Sequence, residues 1–124
     1  MIGDSDAIAT IAVRDIEKAQ KFYTGMLGLE PLPAAEAGVL NYKSGNSSVL
    51  VYKSQFAGTN KATAATWQVD DVEIVVSELK ARGLTFEHYD FPGLTRKGDV
   101  HIANKFKTAW FKDPDGNILA IIGG

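Results

Sequence analysis

Val13-Arg14-Asp15-Ile16-Glu17 recurs as Val69-Asp70-Asp71-Val72-Glu73, and each copy is followed about one helix later by Gly-Leu, at Gly28-Leu29 and Gly83-Leu84. A duplication on this scale in 124 residues restricts the fold to two related modules with the same order of elements. After Asp15, the apolar positions Ile16, Ala19, Phe22, Tyr23, Met26 and Leu27 follow helical spacing; after Asp71, so do Val72, Val75, Val76 and Leu79. Each Asp can accept hydrogen bonds from first-turn amides, and each Gly can take the left-handed conformation that ends a helix. A β-prone run precedes each helix, at residues 7–13 and 63–69, and further runs follow it. Ser44-Gly45-Asn46 separates residues 39–43 from 48–54, and Asp113-Pro114-Asp115-Gly116 separates 106–112 from 117–122. Each half therefore reads strand, helix, three strands. Asn41-Tyr42-Lys43 matches Trp110-Phe111-Lys112, and Val51 matches Ala120. Module one spans about residues 7–55 and module two about 62–122 of a single domain over 1–124. Residues 56–61 serve as the crossover, and no low-complexity linker divides the halves.

Composition closes off several functions. A net charge of −2 without a concentrated basic stripe argues against nucleic acid as a partner. The absence of cysteine removes disulfides, thiolate-held zinc and a cysteine nucleophile. The N-terminus carries two acids and no basic leader segment, and no apolar run is long enough to span a bilayer. The cytosol is the expected location, with no membrane partner. No phosphate-cradling glycine loop is present either, since Gly58-Thr59-Asn60-Lys61 lacks the second glycine and the Lys-Ser/Thr ending.

The paired modules, with Phe22-Tyr23, Leu27-Gly28-Leu29 and the Asp-Pro-Asp-Gly hairpin in that order, resemble the vicinal oxygen chelate superfamily, which includes glyoxalases, bleomycin resistance proteins and extradiol dioxygenases. The resemblance covers roughly residues 7 to 122. It implies an α+β fold in which paired βαβββ modules form a curled mixed sheet around a cleft, and a homodimer that can exchange modules. Enzymes of the group hold a divalent metal in that cleft with one His, Glu or Gln from each of four strands. Carried onto this chain, those places fall on Ile8, Val51, Ala64 and Ala120, and none of these side chains can donate an electron pair. Shifting each by one residue brings in only Ala7, Ala9, Leu50, Tyr52, Thr63, Ala65, Leu119 and Ile121. A metal-free member without a cofactor is expected.

Strand alternation places residues two apart on one face. It groups Ile8 with Thr10 and Ala12, Ala64 with Thr66 and Gln68, Val51 with Val49 and Lys53, Ala120 with Ile118 and Ile122, and Trp110 with Thr108. Asn41 is Trp110's counterpart. The expected cleft is apolar, with Thr10, Asn41, Thr66 and Gln68 as polar points and Trp110 as a stacking plate for a small organic ligand. No acid occurs from Ala37 to Val69, whereas Lys43, Lys53 and Lys61 do, so a neutral or anionic guest fits better than a cationic antibiotic. The competing reading makes these lysines ordinary solvated charge.

Glu87-His88-Tyr89-Asp90 and Asp99-Val100-His101 hold both histidines beside acids that could orient an imidazole, which makes His88, His101 and Asp90 candidates for acid–base chemistry. The alternative is that they decorate a strand end and the loop over residues 91–98. That loop could act as a lid hinged at Gly93 and Gly98, with Arg96 as a clamp for a carboxylate or phosphate. Trp67 and Tyr42 take the helix-facing parity and read as core, and Asp113 and Asp115 read as turn formers. Three functions remain open: a metal-independent small-molecule binder, a metal-free lyase or isomerase, and a regulatory or structural module with a vestigial cleft.

Overall fold

Both helices begin where the capping logic places them. In the computed structural model, which describes residues 1–34 and 36–124, Asp15 accepts from the Lys18 amide and Asp71 from the Ile74 amide, each at 3.1 Å. These bonds satisfy amides that a helix start leaves without intrahelical partners. Gly28 and Gly83 follow the two helical segments with φ of +72° and +98°, the left-handed turn that glycine adopts without a Cβ clash. Helix α2 spans Val72–Ala81. The first helix departs from expectation, because α1 covers only Ile16–Gln20 and continues as a π-helical segment, Lys21–Met26. Adjacent aromatics of that segment reach different targets. Phe22 packs near Phe111 and Tyr23 near Tyr42, with ring centroids 6.3 Å and 6.2 Å apart.

The first half forms β1 (Ala9–Val13), β2 (Glu30–Leu32), β3 (Val39–Ser44) and β4 (Ser47–Lys53), in the spatial order β1-β4-β3-β2. The second half forms β5 (Thr63–Val69), β6 (Phe86–Glu87), β7 (Thr95–Lys97), β8 (Val100–Ala103), β9 (Phe106–Lys112) and β10 (Ile118–Gly123). Its order is β5-β10-β9-β8-β7, with β6 also on β9. In each half the strand before the helix pairs in parallel with the last strand, and the remaining pairs are antiparallel. The fold is thus α+β with two mixed sheets of related modules. Strand, helix, three strands holds in the first half, while the second adds the short β6 and β7. Strand β7 turns part of the expected loop over residues 91–98 into a hairpin with β8. The paired modules expected from the resemblance appear as two separately hydrogen-bonded mixed sheets.

The helix-facing sides of both sheets feed one hydrophobic core, with Ile11, Tyr23, Tyr42, Val51, Phe111 and Leu119 among its buried members. Each large apolar side chain removed from water contributes roughly 1.5–3 kcal/mol. The halves are also tied together by polar bonds. Asp113 accepts from the Tyr23 hydroxyl at 2.7 Å, the Asn117 side-chain amide at 2.8 Å, and the backbone amides of Asn117 and Asp115 at 2.9 Å and 3.0 Å. Asn117 also donates to the Ala12 carbonyl at 2.7 Å, and Asp115 accepts from the Arg14 amide at 3.1 Å. Burial, followed by the neighbouring Asp113 carboxylate, drives the Tyr23 pKa far above its ordinary value, so the phenol stays protonated and donates. Asp113 and Asp115 are turn formers as expected, and they additionally fasten module two to the first helix and β1.

Candidate functional site

Cross-strand pairing assembles two rows of side chains on the face of the second sheet that points away from the helices. Thr66 on β5 is in register with Ala120 on β10, then Trp110 on β9, then Glu87 on β6. The next row runs Gln68, Ile122, Thr108, His101, Arg96. Because paired residues share a face, this open side gathers Thr66, Gln68, Arg96, Trp110 and Ala120 from the sequence expectation and brings His101 into the same group. Thr66, Gln68 and Arg96 are exposed, Trp110 is half-buried, and Ala120 is buried. The Trp110 indole donates to the Thr63 hydroxyl at 3.2 Å, and Arg96 donates to the Gly98 carbonyl at 2.7 Å.

On the first sheet, the open face carries Thr10, Leu50, Asn41 and Leu32 in one row and Ala12, Tyr52 and Val39 in the next. Thr10 and Asn41 therefore stand where expected, with the Thr10 hydroxyl donating to the Ile8 carbonyl at 3.1 Å. Val51 does not. It pairs with Ile11 and is 0% exposed in the core, and Lys53, paired with Val13, leaves the open face with it to end as an exposed residue at the end of β4. The physical reason is register. Val49-Leu50-Val51 is apolar at every position, so alternation within it shows no inward side, and parallel pairing with β1 decides. A local signal was available: the two-residue turn Gly45-Asn46 pairs Ser44 with Ser47 and hence Asn41 with Leu50. Leu50 is accordingly the counterpart of Ala120.

The two histidines have opposite environments. His88 is exposed and lies 2.7 Å from Asp99, whose other oxygen is 2.7 Å from Lys80. The Lys80 hydrogen bond, reinforced by His88, holds the Asp99 carboxyl below the usual range. His101 is 1% exposed, and its Nε2 accepts from the Tyr89 amide at 2.9 Å. In a neutral ring that bond leaves the proton on Nδ1, a buried atom without a hydrogen-bond partner among the described residues. Burial is the main cause of a lowered His101 pKa, opposed in part by the Thr108 backbone, so the imidazole is neutral at pH 7. Above it lies an aromatic strap that the sequence did not reveal. Trp110 sits edge-on to His101, Tyr89 and Phe91, at centroid distances of 4.8, 5.3 and 5.9 Å. The Tyr89 hydroxyl is likewise buried without a hydrogen-bond partner among the described residues, and burial, then Glu87, raises its pKa. Asp90 is exposed, outside this cluster of rings. Among the described residues, the expected acid beside each histidine is found for His88 alone.

The donor set does not fit a divalent ion at the family positions. Ile8, Leu50, Ala64 and Ala120 are hydrocarbon side chains, and a bound cation needs several oxygen or nitrogen ligands at roughly 2.0–2.6 Å. Among the described residues, no three His, Cys, Asp or Glu side chains gather as a possible metal site. No helix among them is long and apolar enough to cross a membrane.

Comparison with known proteins agrees with this architecture. Residues 6–121 match the family described as Glyoxalase/Bleomycin resistance protein/Dioxygenase superfamily. Among solved structures, a glyoxalase family protein from Enterococcus faecalis superposes with a TM-score of 0.73 at 21% identity, covering 98% of this chain and 99% of that one. Lactoylglutathione lyase from Agrobacterium tumefaciens gives 0.71 at 18% identity, over 97% and 93% of the two chains. A fosfomycin resistance protein from Listeria monocytogenes gives 0.71 at 12% identity, also over 97% and 93%. At these identities the likeness is one of fold. No curated protein matches the chain.

Proposed function

The chain belongs to the Glyoxalase/Bleomycin resistance protein/Dioxygenase superfamily, and from that premise we propose that it is a cytosolic, metal-independent binder of a neutral or anionic small organic molecule. The observation that carries this reading is the pair of registered rows on the second sheet. They surround an aromatic plate, Trp110, with the hydrogen-bonding side chains Thr66, Gln68 and Thr108; the Trp110 row ends at Glu87, which is ion-paired with Lys112, and the neighbouring row ends at Arg96, which suits an anionic group. Metal independence is supported by the hydrocarbon side chains at the four family positions.

The open faces leave Ile8 52% and Phe91 50% exposed, and a small ligand needs a second wall to be buried. We therefore propose a homodimer in which one protomer's Trp110 face is closed by the Thr10, Asn41 and Leu50 face of its partner. A screen of neutral, anionic and cationic metabolites by thermal shift tests the reading. A neutral or anionic hit should bind at least tenfold more weakly to Trp110→Ala, and protein purified without chelator should carry far less than one equivalent of metal. A full equivalent of metal retained through dialysis, or a hit indifferent to Trp110, would reject it.

One observation favours a second reading, a metal-free enzyme. His101 is a neutral buried imidazole whose Nδ1, near the Thr108 backbone, has no well-aligned hydrogen-bond partner among the described residues, a costly arrangement of the kind that collects at reacting centres. In that case His101→Ala would abolish turnover of the identified compound and leave its affinity within a few fold. Full activity in both His101→Ala and His88→Ala would remove proton transfer by these residues.

A further inference from the structure

On the opposite side of the second sheet, the end of the first helix, α2 and the inner faces of β5, β9 and β10 enclose a cavity of about 210 Å³. Its walls include Leu27, Trp67, Val75, Phe111 and Ile121, and Arg82 stands at its edge beside Glu78. The volume is below the roughly 300–1,000 Å³ of drug-sized pockets, so it fits a short chain or a single ring. Arg82 is held across the mouth, donating to the Met26 carbonyl at 2.9 Å, and it also borders the adjoining groove that carries Lys18 and Lys21. An apolar chamber thus opens beside three cations and one carboxylate. That arrangement complements a molecule with an apolar tail and an anionic head, because the tail gains by leaving water while guanidinium and ammonium groups receive the charge.

We propose that this helix-side cavity is a second ligand site, independent of the Trp110 face, for a small amphipathic acid whose carboxylate or phosphate head rests on Arg82, with Lys18 and Lys21 beyond it. The guanidinium has further N–H donors besides the one used by Met26, so it can bind the head without giving up the bond that fixes it. Glu78 opposes a dianion more than a monoanion. The two lysines offset this for the larger phosphate head, which extends further into the groove.

The test uses the full chain carrying Trp110→Phe, so that Trp67 in the cavity wall is the remaining tryptophan and ligands of the Trp110 face go unreported. Octanoate and octyl phosphate, titrated below their micelle concentrations, should each change Trp67 fluorescence with single-site saturation. Val75→Phe, which fills the chamber, should abolish the response, and Arg82→Gln should weaken binding about tenfold through loss of a charge-assisted bond. Lys18→Gln combined with Lys21→Gln alters only exposed side chains and guards against misfolding of the cavity variant. It should weaken octyl phosphate more than octanoate. No saturable response up to millimolar ligand, equal affinity in the Arg82 variant, or equally tight binding of uncharged octanol would overturn the proposal. Because Trp110 is absent throughout, none of these outcomes bears on the open-face reading.

Discussion

The two hairpin turns that close the modules occupy the same topological place and do different physical work. Gly45-Asn46 joins β3 to β4 in two exposed residues, and a Cβ added at Gly45 would meet nothing within 4 Å. Asp113-Pro114-Asp115-Gly116 joins β9 to β10 through a buried carboxylate that accepts four hydrogen bonds, one of them from the first module. Gly58, in the crossover, packs so closely on this second turn that an added Cβ would lie 2.0 Å from the Asp115 carbonyl oxygen. Duplicated modules thus share a backbone plan, while the buried cluster of hydrogen bonds sits at one turn and the other contributes a single part-buried bond, from the Trp67 indole to the Ser44 hydroxyl at 3.0 Å. The difference teaches that a turn motif identifies a bend and says nothing about whether the bend is also a fastening.

The largest effect that sharpens this contrast is expected from Asp113→Ala, which strands four donors in or near the interior. Chemical denaturation should show a loss of about 4 kcal/mol or more, and a loss below about 1 kcal/mol would mean that the turn does not hold the modules together. Gly58→Ala should cost about 3 kcal/mol, combining a positive φ of +69° with displacement of backbone on the Asp115 turn. Tyr23→Phe removes one donor to a carboxylate that keeps its other partners, so about 2 kcal/mol is expected by the same measurement. Gly45→Ala has open space around it and only its φ of +57° to penalise, so about 1 kcal/mol is expected.

A third turn, between β7 and β8, tests whether charge can fasten as well as hydrogen bonding does. Lys80 and His88 depress the Asp99 pKa, so the stability it contributes is present above the unfolded value, about 3.9, and is lost as pH falls through the lower folded value. Wild type should therefore lose more melting temperature than Asp99→Asn between about pH 5 and pH 3. The difference should correspond to less than about 1 kcal/mol, because Lys80 and His88 are largely exposed and their charges are screened. Identical acid profiles would assign Asp99 no fastening role.

Sequence alone determined the parts of this molecule that depend on neighbours along the chain. The Asp15 and Asp71 caps, the Gly28 and Gly83 stops, the two closing hairpins and the duplicated order of elements all follow from local backbone chemistry. The Thr66, Ala120 and Trp110 grouping was legible as well, since alternation and the match between modules both pointed to one face. Tertiary structure decided the rest. Val51 turns inward because of its parallel pairing with Ile11, and His101 is buried because Tyr89 and Trp110 pack against it. Asp113 became the fastening because Tyr23, ninety positions earlier, arrives beside it. Caps and turns are set by interactions over a few residues. Facing, burial and docking depend on pairing distant segments in three dimensions, which sequence spacing along one strand cannot specify.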